Sequence, residues 1–218
     1  MREASVHENS PLKNQGQNAG QGAPGDGPYR CMPHAELRDG AYAVRAVEPG
    51  HIDAIRQWRN DQIDILRQPA PITREEQQRY FERTIWPDKQ AERPRNILLI
   101  YLNEREPIGY GGLVHMDWEQ ERAELSFLLD PQYERPSERR ADLFGRFLLL
   151  LKRLAFEDLR LNRLYTETFA TRRRHMETLE QAGFRPEGCL RQHVRINGTR
   201  VDSILHGCIA GDEGERHP

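Results

Sequence analysis

Apolar and polar positions change rhythm several times between residues 41 and 210, and each change marks an element. Tyr42, Val44 and Ala46 alternate with Ala43, Arg45 and Val47, the period-two spacing of a first strand. Pro49-Gly50 breaks it. Ile52, Ile55, Ile63 and Leu66 then recur at helical spacing, with Trp58 on the flank. Thr73-Arg74-Glu75-Glu76 has the form of a capping box and predicts a second helix that ends at Trp86-Pro87. Ile97 to Tyr101 is a short apolar run of the buried-strand kind. After a polar turn, Ile108 to Val114 reads as a strand holding Gly109, Gly111 and Gly112, which predict a bulge or the close approach of another backbone. Beyond a turn around Trp118, Ala123, Leu125, Phe127 and Leu129 alternate with Glu124, Ser126 and Leu128, until Asp130-Pro131 stops the strand. A long helix from Ser137 to Asp158 carries Leu143, Phe147, Leu150, Leu151 and Leu154 on one face. Leu164 to Phe169 reads as a strand. Thr171 then caps a helix through Ala182, with Gly183 at its C-terminal left-handed position. Asn197-Gly198 is a two-residue hairpin signal between two alternating strands.

The predicted order is β-α-α-β-β-β-α-β-α-β-β. It implies an α/β domain of the α+β type, a mixed, mostly antiparallel central sheet with helices on both faces. At 218 residues the chain suits one such domain, residues 41–210. Residues 1–40 are expected to be a disordered tail, because the run from Asn14 to Pro28 is Gly, Gln, Asn and Pro with no large apolar residue. Residues 211–218 read as a short polar end.

Composition narrows the function. A formal net charge of −2 offers no basic excess for nucleic acid. The longest apolar run, Phe147 to Leu151, is far too short to span a bilayer, and the N-terminus lacks the apolar core of a signal peptide, so a cytoplasmic protein with no membrane partner is expected. Cys31, Cys189 and Cys208 form no CxxC pair and suggest neither a metal site nor a disulfide framework. His193 and His206 lack metal-ligand spacing.

Several segments, in order, resemble the GNAT acyltransferase superfamily, and within it the branch of ribosomal-protein alanine acetyltransferases and amino-sugar acetyltransferases. They are Trp58-Arg59-Asn60, Pro107-Ile108-Gly109-Tyr110, the run from Ala123 to Pro131, Ala155 to Leu159 with Asn162 to Tyr165, Leu179 to Phe184, and Glu187 to Val194 continuing through Asn197-Gly198 to Asp202. The resemblance implies that the strands holding Leu125 and Tyr165 splay apart to take the pantetheine arm of acetyl-CoA, the expected co-substrate. Its amides would pair with backbone at Phe127, Leu128 and Leu129, and its pyrophosphate would sit at the N-terminus of the next helix. The implied acceptor is a small-molecule amine, an amino sugar first. A protein N-terminus is the alternative acceptor, and a homodimer is possible.

One departure bears on activity. The family's phosphate loop is glycine-rich, and Tyr133 to Phe144 contains no glycine. In one reading Arg135, Arg139 and Arg140 grip the pyrophosphate, with Ala141, Asp142, Leu143 and Phe144 completing the loop, Arg172, Arg173 and Arg174 meeting the CoA phosphates from the start of the next helix, and His175 beside them. In the other, cofactor binding is lost and the domain is a non-catalytic binding module. Leu179 stands where many relatives carry a Tyr acid. For the base that frees the attacking amine, Glu124, Glu167 and His115 are the candidates: two carboxylates bordering the gap and an imidazole at a strand end. Trp58 and Trp118 are candidate walls of an acceptor pocket.

Overall fold

The computed structural model describes residues 25–66, 68–135 and 137–212. The expected disorder of residues 1–24, the role of Pro136 in the loop and the polar end from residue 213 lie outside the described residues. The others build one sheet in the order β1-β2-β3-β4-β5-β6-β8-β7. The strands are β1 (Glu36–Asp39), β2 (Tyr42–Ala46), β3 (Ile97–Asn103), β4 (Glu106–Asp117), β5 (Arg122–Leu129), β6 (Arg163–Phe169), β7 (Arg185–Ile196) and β8 (Thr199–Ile209). Neighbours pair antiparallel except β5 with β6, which run parallel. Helices α1 (Ile52–Asn60), α2 (Arg74–Tyr80) and α3 (Trp86–Gln90) cover one face, and α4 (Glu138–Lys152) and α5 (Arg173–Gln181) the other.

Strand β3 explains why helices sit on both faces. It is apolar at every position from Ile97 to Leu102 and buried throughout. Ile97, Leu99 and Tyr101 pack in the core with α4, while Leu98, Ile100 and Leu102 pack with Trp58, Phe81, Ile85 and Trp86. The glycines of β4 are required by proximity. A Cβ on Gly111 would lie 2.1 Å from the Ser126 carbonyl oxygen, and Gly112, at φ +147, would place one 1.9 Å from that of Ile97.

Several boundaries differ from the sequence expectation. Residues 25–40 are folded. Tyr29 is fully buried, its hydroxyl accepts from the Leu98 amide at 2.8 Å, and Leu37 anchors β1 against β2. Trp86-Pro87 does not end the second helix: α2 runs through a wide π-turn, Phe81–Ile85, into α3, and Pro87 falls in the first turn of α3, where a missing N–H costs nothing. Helix α1 stops at Asn60, and Ile63–Ile65 form a separate 3-10 turn. Helix α5 takes no side-chain cap from Thr171; Arg172 is its capping residue. The glycine and turn signals hold: Gly183 has φ +88, and Asn197 and Gly198 have φ +47 and +81, with Ile196 facing Thr199. Among the described residues no helix is long and apolar enough to cross a membrane.

Candidate active site

Strands β5 and β6 pair over only three residues, Arg122 with Arg163, Ala123 with Leu164 and Glu124 with Tyr165. Beyond that register β5 continues to Leu129 and β6 to Phe169 without each other, so the sheet opens into a wedge. A cavity of about 120 Å³ occupies it, lined by Glu124, Ser126, Phe127, Thr166, Glu167, Thr168, Arg172 and His175 among others. It shares Ile65, Arg172 and His175 with a cavity of about 440 Å³ at the start of α4 and α5, and Val114 and Ser126 with one of about 460 Å³ under α1 and α2. The three cavities therefore adjoin at the point where the strands of the sheet part.

The cavity at the start of α4 and α5 is basic. Arg140, Arg172, Arg173 and Arg174 line it with one carboxylate, Glu134. Glu134 Oε1 accepts from Arg140 Nη2 at 2.9 Å and from Arg172 Nη2 at 2.6 Å. Arg140 is buried, and its Nη2 also stands 3.2 Å from His175 Nδ1. His175 stacks on Phe144 with ring centroids 4.1 Å apart. Burial first, then the charges of Arg172 and Arg140, hold its pKa well below the ordinary imidazole value, so the ring is neutral and Nδ1 can accept from Arg140. Ser137 caps α4, its Oγ accepting from the Arg140 amide at 3.2 Å; among the described residues the amides of Glu138 and Arg139 have no hydrogen-bond acceptor at the positive end of this fifteen-residue helix.

The structure brings together only part of the predicted cofactor set. Arg140, Ala141, Arg172 and His175 line the basic cavity, and Phe127 lines the wedge, stacked on Phe144 at 4.5 Å. Arg135 and Arg139 are exposed and line neither cavity; Arg139 lies over the Tyr133 ring. Asp142 faces away, accepting from Arg146 at 3.1 Å. Leu143 and Phe144 belong to the core, because the apolar stripe of α4 begins there. The side chains of Leu128 and Leu129 enter opposite cores, and the Leu129 carbonyl already accepts from Gln62 Nε2 at 2.8 Å. Leu179 is also core. Gln62 and Glu134 were missed by sequence reading; Glu134 lies in the loop but gives no signal that it gathers two arginines.

All three candidate bases line these cavities, Glu124 and Glu167 the wedge and His115 the one under α1 and α2. Glu124 is the last residue of β5 paired with β6, is 8% exposed and shares its strand face with Ser126. His115 Nε2 stands 3.8 Å from Glu124 Oε2. His115 has φ +50 and falls in the bulge where the β4–β5 register shifts between Val114 and Asp117, and it lines the larger cavity under α1 and α2. Glu167 lines the wedge from β6, 3.8 Å from His193 Nε2 of β7. Trp58 and Trp118 line neither of the two larger cavities: Trp58 is core, and Trp118 Nε1 donates to the Pro94 carbonyl at 2.7 Å. Among the described residues no group of three or more His, Cys, Asp or Glu could hold a metal ion.

Solved structures share this fold. One is a spermidine N-acetyltransferase from Vibrio cholerae in complex with CoA and spermine, 17% identical, covering 81% of this chain and 100% of its own, with a TM-score of 0.69. A ribosomal L7/L12 alpha-N-protein acetyltransferase, RimL, in complex with coenzyme A, is 15% identical over 81% of this chain and 99% of its own, with a TM-score of 0.68. No curated protein matches by sequence. The family model of the acetyltransferase (GNAT) domain matches residues 44–205, so the chain belongs to the GNAT acetyltransferase family, whose enzymes use acetyl-CoA as co-substrate.

Proposed function

We propose that this N-acetyltransferase moves the acetyl group of acetyl-CoA to the primary amine of a small molecule, with an amino sugar as the first acceptor to test. The observation that carries the reading is the wedge of unpaired strand edge, with a basic cavity adjoining it on one side and a second cavity adjoining it on the other through shared wall residues. The amides of Glu138 and Arg139, with Arg173 and Arg174, would meet the phosphates of the co-substrate. Arg140 and Arg172 would act through the fixed cluster around Glu134. The unpaired edge of β5 before Leu129 would take the pantetheine amides. Glu124 would remove the proton of the incoming ammonium, and His115, half a step nearer solvent, would pass it out. Self-association belongs to the same proposal; a dodecameric structure exists for a spermidine N-acetyltransferase from Vibrio cholerae.

Calorimetric titration of the full chain with acetyl-CoA tests the reading. Binding in the micromolar range, followed by thiol release in the presence of amino sugars, is the expected result. No binding at millimolar acetyl-CoA would overturn it and leave a non-catalytic module. Acetylation of N-terminal peptides in preference to amino sugars would replace the acceptor.

A further inference from the structure

Arg59 belongs to the motif Trp58-Arg59-Asn60, and its two neighbours have structural tasks. Trp58 fills the core beneath α1. Asn60 closes the loop that follows the helix: its Oδ1 accepts from the Ile72 amide at 2.8 Å and its Nδ2 donates to the Ile72 carbonyl at 2.9 Å. Arg59 does something else. It is half-buried on the wall of the 460 Å³ acceptor-side cavity. Its Nε donates to Gln68 Oε1 at 3.0 Å and its Nη1 to the Tyr110 hydroxyl at 2.8 Å.

Both partners are uncharged. Gln68 is an amide, and burial pushes the Tyr110 phenol up, so it stays neutral beside the guanidinium. Among the described residues no carboxylate lies within ion-pair distance of Arg59. The guanidinium has five N–H donors, and these two bonds fix its plane while leaving Nη2 without a partner among the described residues. Two side chains thus hold a full positive charge in place without cancelling it.

The other titratable groups facing the cavity are Glu76, Tyr80 and His115. Glu76 is exposed, and its Oε2 accepts from the Thr73 amide at 2.8 Å as part of the cap of α2. His115 is exposed and stands next to Glu124. Among the described residues this cavity is thus lined by one carboxylate, the exposed Glu76 engaged in the cap of α2, and by the cation of Arg59.

We propose that Arg59 reads an anionic group on the acceptor, a phosphate or a carboxylate, so that the preferred substrates are amines that also carry a negative charge. The inference rests on the acceptor-site reading of this cavity. Its physical content is preorganisation. A guanidinium already oriented by Gln68 and Tyr110 forms charge-assisted bonds to an oxyanion with little further ordering, and it repels an all-cationic ligand such as a polyamine.

The test uses the full chain saturated with CoA and two matched pairs of amines, read by calorimetry. Glucosamine 6-phosphate is compared with glucosamine, and β-alanine with β-alaninamide. The anion-bearing member of at least one pair should bind about 10-fold or more tightly than the partner that lacks the anion, and the pair that responds tells phosphate from carboxylate. Arg59→Met should abolish that preference, and Arg59→Lys should retain part of it, because the charge remains while the planar fork is lost. Equal binding within both pairs, a preference that survives Arg59→Met, or spermidine binding more tightly than either anion-bearing probe would overturn the assignment. If Arg59→Met loses CoA affinity through misfolding, Arg59→Lys decides alone: a preference unchanged from wild type refutes the fork. Failure of the wild-type chain to bind acetyl-CoA would defeat the transfer reading; acetyl-CoA binding with no charge preference would defeat only the role of Arg59.

Discussion

The two larger cavities beside the wedge both present arginine, and they hold it in opposite ways. At the start of α4 and α5 Arg140 and Arg172 converge on one carboxylate, Glu134, and Arg140 is taken inside against His175. Under α1 and α2 Arg59 rests on an amide and a phenol. The first arrangement is a braced cluster whose charge is partly cancelled, beside Arg173 and Arg174 on the same cavity wall. The second is an uncancelled charge waiting at a wall. Arginine is therefore not one signal: its role follows from whether its partners are charged.

The largest effect should come from removing the shared carboxylate. Glu134→Ala leaves two half-sequestered guanidiniums side by side, and breaking a buried pair costs about 3–5 kcal/mol. The thermal midpoint of the free protein should fall by several degrees, and saturating CoA should recover more of that loss than it adds to wild type. An equal shift from CoA in both proteins would show that the cluster does not feel the phosphates. Next, Glu124→Gln should lower kcat about 100-fold while acetyl-CoA affinity is kept; steady-state rates with an amine acceptor decide this, and wild-type turnover would move the base to Glu167. The double change Arg173→Ala, Arg174→Ala should weaken acetyl-CoA about 10-fold at low salt, with the difference shrinking as salt rises. Arg135→Ala and Arg139→Ala, outside both cavities, should leave affinity unchanged.

The smallest effect concerns pH. His175 is held neutral in the folded protein, whereas the unfolded chain binds its proton near pH 6.5. The unfolded state then carries more protons below that pH, so stability falls as pH drops from about 6.5, by roughly 1 kcal/mol over the first unit. Denaturant midpoints at pH 7.5 and 5.5 should differ less for His175→Gln than for wild type. Equal differences would show that His175 takes up a proton in the folded state.

Much of the fold was legible because burial imposes a rhythm. Strands β2 to β6 and the Asn197-Gly198 turn follow from alternation and turn chemistry, and the glycines of β4 from the need for close backbone approach. Strand β1 was not, since a four-residue edge strand with one buried side chain, Leu37, carries almost no pattern. The wedge was inferred from family likeness alone; nothing in Glu124 or Tyr165 says that pairing ends there. The loop before α4 was read through its arginines, and it organises around Glu134 instead. A sequence lists charges without saying which of them meet, so Arg135, Arg139 and Arg140 look alike on paper while only Arg140 is buried.

The segment at residues 25–33 has a consequence for any shortened form of this protein. Gly25 lies against the Trp86 ring so closely that a Cβ there would be 2.6 Å from it. Lys89 is 1% exposed, and its Nζ donates to the carbonyls of Gly25 and Val47. A chain begun at residue 41 would uncover the indole, strip an ammonium of one acceptor and leave the Leu98 amide without the Tyr29 hydroxyl. Such a chain retains every residue matched by the family model and still lacks a wall of the domain. The unit that folds is wider than the unit that defines the family.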